Sequence, residues 1–246
     1  GQALAMLNQI RYIAGLDAGV TLNDTYTQMA QTGSMLNAAN NQLSHYPSRP
    51  SGMSDELYEL GYSGTSSSNI AMTSWRSSLL KSLMMWMDDS DSSNIDRLGH
   101  RRWILNPTMQ QTGFGYAVSN SGAAYSSVYV FDYDYHNTDV TGVAWPATEM
   151  PKRYFESSSA WSYSYGSSLN GNVSVKLQCL TTGRERTWNF SSAASDGYFN
   201  VDNGGYGQKG CVIFKPDSIS LQAGEDYEVT ITQDGTVIAD YTVHFF

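Results

Sequence analysis

The sequence predicts an α+β domain followed by an all-β sandwich. The pattern changes near Trp145 and Pro146: apolar residues recur at helical spacing before this point, and short alternating runs follow it. The length of 246 residues allows two ordinary domains. Hydrophobic residues make up 41% of the chain and charged residues 15%, so both domains can build a core, unlike a disordered chain. We place the domains at 1–145 and 146–246.

Four segments of the first domain have the apolar spacing of a helix. Asn23 is a suitable N-cap residue for the second helix. Ser54 precedes the third helix, which carries acids in its first turn and is expected to end at Gly61. Two strand-like runs then follow, joined by a Ser/Asn/Gly turn into a hairpin. The predicted helices are 3–14, 24–36, 55–60 and 77–87, and the predicted strands are 113–118 and 125–133. Helices around a small antiparallel sheet indicate a layered α+β domain.

The second domain consists of short alternating runs separated by turn residues. About seven strands in about a hundred residues are typical of an immunoglobulin-like sandwich. Asp234-Gly235 is a hairpin turn signal. The alternating Trp161, Tyr163 and Tyr165 share one face, which either packs in the core or in a seam between domains, or forms an exposed row that stacks on sugars.

Both cysteines of the chain, Cys179 and Cys211, lie in strand-like runs of this second domain. Two half-buried cysteines in neighbouring strands can form a disulfide in an oxidising compartment. The alternative is two small buried hydrophobic residues that never meet. The sequence alone leaves both open, because it does not supply the Cα separation that a disulfide requires.

The charge excludes several classes of partner. The chain has 14 basic and 23 acidic residues, a net charge of −9, and no Lys/Arg cluster of the kind that a phosphate backbone requires. Nucleic-acid binding is therefore not expected, and attraction to an anionic membrane is disfavoured. No run of about 18 apolar residues is present, so we expect no membrane span.

Five landmarks occur in the order found in one known family. They are Leu43-Ser44-His45, Gly61-Tyr62, Ser68-Asn69-Ile70-Ala71, the run from Gly99-His100 to Asn106-Pro107, and Thr112-Gly113-Phe114-Gly115. This combination, over roughly residues 3–133, resembles the CAP (sperm-coating-protein-like) domain of bacterial type. The resemblance implies an α-β-α sandwich with a surface cleft where His45 and His100 converge.

The resemblance also implies which other residues line the cleft. At one position of these motifs, this sequence departs from the family pattern. In the family motif Glu-Asn-Ile-Ala, this sequence has Ser68 in place of the glutamate, followed by Asn69. The second acid of the family falls on Asp88 or Asp89, and the spacing from Trp86 favours Asp89. The candidate cleft residues are His45, Ser68, Asn69, Asp89 and His100. Two imidazoles suit part of a metal site, but zinc prefers three protein ligands. We therefore expect no certain cofactor and at most weak zinc binding by His45 and His100.

Ser68 together with His100 raises the possibility of a Ser–His hydrolase. A working nucleophile needs a base within hydrogen-bond reach, a third group that orients the base, and oxyanion donors. The chain lacks a Gly-x-Ser-x-Gly elbow, and Ser66-Ser67-Ser68 is equally typical of a polar loop. No catalytic residue is therefore assigned.

Arg101 and Arg102 follow His100 directly and must diverge because they are adjacent. Either one of them reaches Asp96 or Asp89 and holds the loop in place, or at least one lies in solvent.

These observations lead to an expected function. We expect a secreted or cell-surface protein of a Gram-positive bacterium, a non-catalytic module that binds a small or extended ligand (lipid, glycan or peptide) or a surface partner in its cleft. Because the chain starts at Gly1 inside a helical pattern, we interpret its export signal as trimmed away. The alternatives are a metal-dependent or Ser/His hydrolase acting on extracellular peptide or cell-wall material, and a purely structural or adhesive module. The oligomeric state stays open.

Overall fold

The computed structural model describes residues 1–132, 140–189 and 197–246. The helices are α1 (Gln2–Ile13), α2 (Asp24–Asn40), α3 (Asp55–Ser66), α4 (Leu79–Asp88) and α5 (Gly99–Ile104). The strands are β1 (Thr21–Leu22), β2 (Ser68–Thr73), β3 (Gln111–Thr112), β4 (Phe114–Val118), β5 (Ala124–Tyr129), β6 (Val143–Trp145), β7 (Glu149–Met150), β8 (Trp161–Ser164), β9 (Val173–Cys179), β10 (Glu185–Trp188), β11 (Gly197–Asp202), β12 (Cys211–Pro216), β13 (Asp226–Gln233) and β14 (Thr236–Phe245). None of the helices in these ranges has the length and apolarity needed to cross a bilayer.

The four predicted helices are present, and two of them, α2 and α3, are longer than the sequence indicated. The Asn23 side chain caps α2 by accepting a hydrogen bond from the Tyr26 amide at 3.1 Å. The prediction that Gly61 ends α3 is wrong, because the helix continues to Ser66. Gly61 instead permits close helix packing: a Cβ at this position would lie 2.6 Å from Cδ1 of Leu36 on α2.

Dense contacts divide the chain into two compact units, each of which is discontinuous in sequence. The first contains Gly1–Ile10, Asp17–Met87 and Thr108–Thr138, and the second contains Arg11–Leu16, Asp88–Pro107 and Asp139–Phe246. The boundary predicted between residues 145 and 146 separates two independent domains. Grouping by contacts does not test whether domains are independent, so that boundary stays a prediction.

The first unit is a three-layer α-β-α arrangement around an antiparallel sheet with the order β2-β5-β4. Every residue of the central strand β5 is buried. Neighbouring residues of this strand face opposite layers, since the Ser126 hydroxyl lies 2.8 Å from that of Ser82 on α4 and the Ser127 hydroxyl lies 2.9 Å from that of Ser34 on α2. The predicted α+β class is confirmed.

The glycine-rich strand β4 lies against the backbone of α2. A Cβ at Gly115 would lie 2.0 Å from the carbonyl oxygen of Ala30, so this position requires glycine. The Thr112–Gly115 landmark is therefore a packing feature of the first unit, where a helix meets a strand without an intervening side chain.

The second unit is rich in strands. A five-stranded sheet has the order β10-β9-β13-β14-β7, and a four-stranded sheet has the order β11-β12-β8-β6. The sheets pack face to face around Trp161, whose fully buried indole on β8 contacts Tyr227 and Phe245 of the other sheet. Trp161 thus belongs to the core and not to an exposed aromatic row.

Both cysteines are buried and unbridged. Cys179 ends β9 in the five-stranded sheet, and Cys211 begins β12 in the four-stranded sheet. Of the two alternatives left open by the sequence, the structure has the pair of separate small buried side chains.

Candidate functional site

The most completely built part of the candidate site is the turn that leads into α5. Asp89 and Leu98 both have left-handed backbone conformations, with φ of +47° and +48°. Leu98, as the N-cap residue, offers no side-chain hydrogen bond to the helix. The Asp89 carboxylate provides it instead: one oxygen accepts the backbone N–H of His100 at 2.9 Å and that of Arg101 at 3.3 Å. A carboxylate from eleven residues upstream therefore caps the helix.

The other oxygen of Asp89 orients the imidazole of His100. It lies 2.8 Å from Nδ1, and because a carboxylate can only accept, Nδ1 carries the proton and donates. This bond selects the tautomer of neutral His100 that has its lone pair on Nε2. The Asp89 side chain is 2% exposed and the His100 side chain 23%, so a buried support holds a ring that solvent reaches.

Arg101 anchors the same helix to the β-rich unit. Its guanidinium is fully buried and donates to the carbonyl of Ala160 at 2.7 Å, the hydroxyl of Ser162 at 3.0 Å and the carbonyl of Asp88 at 2.7 Å. Burial lowers the pKa of Arg101 to about 10, even though the nearby charges of Asp89 and Asp88 act to raise it.

Arg102 makes a second anchor on the other side of the helix. Its guanidinium forms an ion pair with Asp202 at the end of β11 and also donates to the carbonyls of Gly204 and Gln208. The guanidinium carbon lies 5.1 Å from the ring centre of Tyr206. Of the two alternatives for these arginines, the one in which at least one of them lies in solvent is wrong, because both are buried.

His45 belongs to the first compact unit and is held in a comparable way. Its Nδ1 lies 2.7 Å from the carbonyl oxygen of Thr65 near the end of α3, and the Thr65 hydroxyl donates to the His45 carbonyl at 2.9 Å. A carbonyl oxygen can only accept, so His45 also carries its proton on Nδ1. Histidines that bind a ligand through Nε2 commonly have this kind of support.

Ser68 and Asn69 open β2 in the first unit and are both buried. Ser68 is 4% exposed, and among the described residues its hydroxyl has no hydrogen-bond partner. None of the imidazoles in the described ranges therefore activates this hydroxyl as a nucleophile, as a hydrolase would require.

The structure joins two of the five predicted site residues directly, Asp89 and His100. The other three, His45, Ser68 and Asn69, belong to the other compact unit. The convergence of all five on one cleft stays a prediction.

The described residues do not fit a resident zinc ion. Nowhere in these ranges do three or more His, Cys, Asp or Glu side chains form a group that could hold a metal. Both oxygens of Asp89 are already engaged by α5, so this acid acts as a support for His100. Zinc in proteins takes at least three protein ligands.

Sequence reasoning allowed for one arginine that holds the loop, with Asp96 or Asp89 as its partner, but it missed that both Arg101 and Arg102 are buried anchors with other partners. The available signal was their position: two adjacent arginines stand within the apolar run that follows His100, in a chain with only 14 basic residues. Their partners could not be identified, because Ala160, Ser162 and Asp202 lie about 60 to 100 positions away in sequence.

Comparison with known proteins agrees with the layered first unit and its landmarks. The family model described as "CAP: Cysteine-rich secretory protein family" matches residues 4–133, which is more than half of the chain. No curated protein matches at a significant level. The chain belongs to the CAP, or cysteine-rich secretory protein, family.

Proposed function

We propose that this CAP-family protein is a secreted or cell-surface binding module, of bacterial and Gram-positive type, whose ligand contacts His100 and His45. The observation that carries the proposal is the support of the His100 ring by buried Asp89. The support fixes which nitrogen accepts a hydrogen bond, so the ring meets a ligand without prior reorganisation. His45, with its Nδ1 on Thr65, offers a second imidazole of the same tautomer.

Binding is favoured over hydrolysis for a chemical reason. An Asp–His pair serves catalysis when it activates a nucleophile, and the Ser68 hydroxyl is buried and has no base bonded to it among the described residues. We place Ser68, Asn69 and Asp89 in the cleft as lining and supporting groups. The β-rich region, proposed to be an immunoglobulin-like domain, contributes by holding α5.

The proposal is tested with one probe from each ligand class, namely palmitate, N-acetylglucosamine trimer and an alanine tetrapeptide. We expect one of the three probes to bind the wild-type protein in calorimetry. The His100→Ala substitution should weaken the binding of that probe at least about tenfold, which is the effect of losing one well-made polar contact. Mass spectrometry should recover the bound probe intact.

The control variant is His244→Ala. His244 also forms an Asp–His pair, with Asp226 at 2.6 Å, but it lies on β14, outside the residues 4–133 that match the family. It should bind the probe as the wild type does. Probe cleavage that disappears in His100→Ala would establish the hydrolase instead, and binding of none of the three classes would favour the structural or adhesive alternative. A zinc titration of the wild type and His100→Ala that gives equal heats would remove metal binding at His100.

A further inference from the structure

A row of three tyrosines lies beside His45 in the first compact unit. The ring centres of Tyr58 and Tyr62 on α3 are 5.7 Å apart, and the Tyr46 ring centre lies 6.0 Å from that of Tyr62. The imidazole of His45 follows, with its centre 6.4 Å from that of Tyr46. Tyr58 and Tyr62 share a face of α3 because they are four positions apart. We call Tyr46, Tyr58 and Tyr62 the tyrosine row; His45 stands at its end.

The tyrosine row reaches solvent at Tyr46. This residue is 70% exposed, and His45 beside it is exposed as well, whereas Tyr58 and Tyr62 are half-buried. A lone exposed tyrosine is common on protein surfaces. Here the exposed ring continues a series of ring contacts and adjoins the imidazole at which we propose ligand binding. A ligand bound at His45 therefore lies within reach of the Tyr46 ring.

The segment that carries Tyr46 is held in place through its main chain. Five of its backbone groups are bonded within the protein: the amides of Ser44 and Tyr46 and the carbonyls of His45, Pro47 and Ser48. The Tyr58 hydroxyl makes one of these bonds, to the Pro47 carbonyl at 3.1 Å, so the row itself ties the segment to α3. Backbone groups engaged in this way do not pair with an extended peptide. This surface therefore meets a ligand with rings and hydroxyls.

The imidazole of His45 selects a ligand that donates a hydrogen bond. Its Nδ1 donates to the Thr65 carbonyl at 2.7 Å, so in the neutral ring Nε2 is an acceptor. A hydroxyl group can donate to such a nitrogen. An ionised fatty-acid carboxylate cannot, because it only accepts.

The charges near the row disfavour an anionic ligand. Arg49 forms an ion pair with Asp55 at the start of α3, so its charge is compensated. Glu56 and Glu59 lie on the same helix and are exposed. Together with the net charge of −9, these acids repel an anion and have little effect on an uncharged molecule.

We propose that the tyrosine row binds an uncharged saccharide, with one sugar ring stacked on Tyr46 and a sugar hydroxyl donating to Nε2 of His45. This inference rests on the proposed function, because it names the ligand class for the surface around His45. A sugar ring has an apolar C–H face and carries hydroxyls along its edge, so it matches an exposed aromatic face beside a hydrogen-bond acceptor. An acyl chain requires an enclosed apolar groove instead, and a peptide strand requires unpaired backbone groups.

The test is calorimetry on the full chain with the N-acetylglucosamine trimer as the probe. We expect the trimer to bind the wild type and Tyr46→Ala to weaken it about tenfold, the upper end of what an aromatic contact contributes. Tyr46→Phe keeps the ring and should bind within about twofold of the wild type. The control is Tyr12→Ala, which removes a tyrosine that is 75% exposed near the end of α1, outside the row, and should change nothing. Because Tyr46 is exposed, its variants should keep the urea midpoint of the wild type.

A galacturonic acid trimer, which carries a carboxylate on each ring, should bind more weakly than the uncharged trimer. The inference is overturned if the uncharged trimer does not bind, if the charged trimer binds equally well, or if Tyr46→Ala binds the probe unchanged. Binding of palmitate or the alanine tetrapeptide in its place, weakened by His100→Ala, would overturn the saccharide but uphold the proposed function. Trimer binding that Tyr46→Ala and His45→Ala weaken and His100→Ala leaves unchanged would uphold the inference and contradict the proposed contact with His100.

Discussion

Asp89 shows how one residue can look like a ligand in the sequence and act as a support in the structure. Its place after Trp86 marks it as the second family acid, and acids at that position suggest a metal site. The folded chain engages both of its oxygens with α5: one with the His100 ring, the other with the backbone amides of His100 and Arg101. A carboxylate so occupied fixes an imidazole and a helix start together.

Replacing Asp89 by Asn keeps the size of this side chain and removes its charge. We expect Asp89→Asn to lower the free energy of unfolding by about 2 kcal/mol, since charge-assisted hydrogen bonds and a helix cap weaken together. The His100 ring should also lose its single tautomer, because an amide can turn its donor NH₂ toward Nδ1. Urea unfolding and imidazole nitrogen chemical shifts measure the two effects.

The matched control for this variant is Asp226→Asn. Asp226 bonds to Nδ1 of His244, but the two side chains are 45% and 40% exposed. Water screens such a pair, so the loss should stay below about 0.5 kcal/mol. Equal losses from the two variants would show that Asp89 has no special structural role.

At the scale of elements, α5 is too short to be stable by itself. A helix of six residues lies far below the length at which isolated helices form in water. Tertiary contacts hold it: Leu98 packs with Ala160, Cys211 and Ile213, while Arg101 and Arg102 bond to the strand-rich unit. The element that carries His100 therefore depends on residues far along the chain.

The Arg102→Lys substitution tests this dependence. Lysine keeps the charge but cannot reach Asp202 and the carbonyls of Gly204 and Gln208 together from one planar group. We expect a loss of about 2 to 3 kcal/mol in the free energy of unfolding, because part-buried acceptors beside a buried charge are left unpaired. Urea denaturation followed by tryptophan fluorescence measures it.

Arg97→Lys is the corresponding control, because the Arg97 pair with Asp96 has side chains 35% and 59% exposed. Its cost should stay below about 0.5 kcal/mol. A similarly small loss for Arg102→Lys would mean that the ion pair with Asp202 contributes little to holding α5.

At the scale of the whole molecule, the segment that carries His100 is grouped with the β-rich region. The compact unit that includes Asp139–Phe246 also includes Asp88–Pro107, although the family match extends over 4–133. The boundary predicted at 145 thus separates the anchoring arginines from Ala160, Ser162 and Asp202. The β-rich region supplies the contacts that hold one of the family's own landmarks.

A chain shortened to residues 1–145 should therefore lose order selectively. We expect the amides of 98–105 to exchange at least about a hundredfold faster than in the full chain, since the acceptors of the Arg101 and Arg102 side chains, which hold α5 in place, are removed. The amides of β5, whose partners β2 and β4 are retained, should change much less. Hydrogen exchange with mass spectrometry measures both regions. Unchanged protection at 98–105 would show that the first 145 residues form α5 unaided.

Local patterns were sufficient for much of this protein. Apolar periodicity and caps located helices α1 to α4, although not the short α5; turn residues located the hairpin between β4 and β5, and alternation predicted strands β9, β13 and β14. These features depend on interactions between residues that are close in sequence. The landmarks around His45 and His100 likewise identified the family, because short motifs keep their order along the chain.

The roles of residues that depend on distant partners were decided only by the tertiary structure. Gly61 ends a helix by its local preference, yet the neighbouring Leu36 side chain makes it a packing residue within α3. Asp89 caps helix α5, the buried side chains of Arg101 and Arg102 anchor the same helix, and the two cysteines are not joined by a disulfide. For Gly61, Asp89 and the two arginines, the deciding contact joins residues that are 11 or more positions apart in sequence. Burial makes such a contact strong, and no periodicity or motif in the sequence records it.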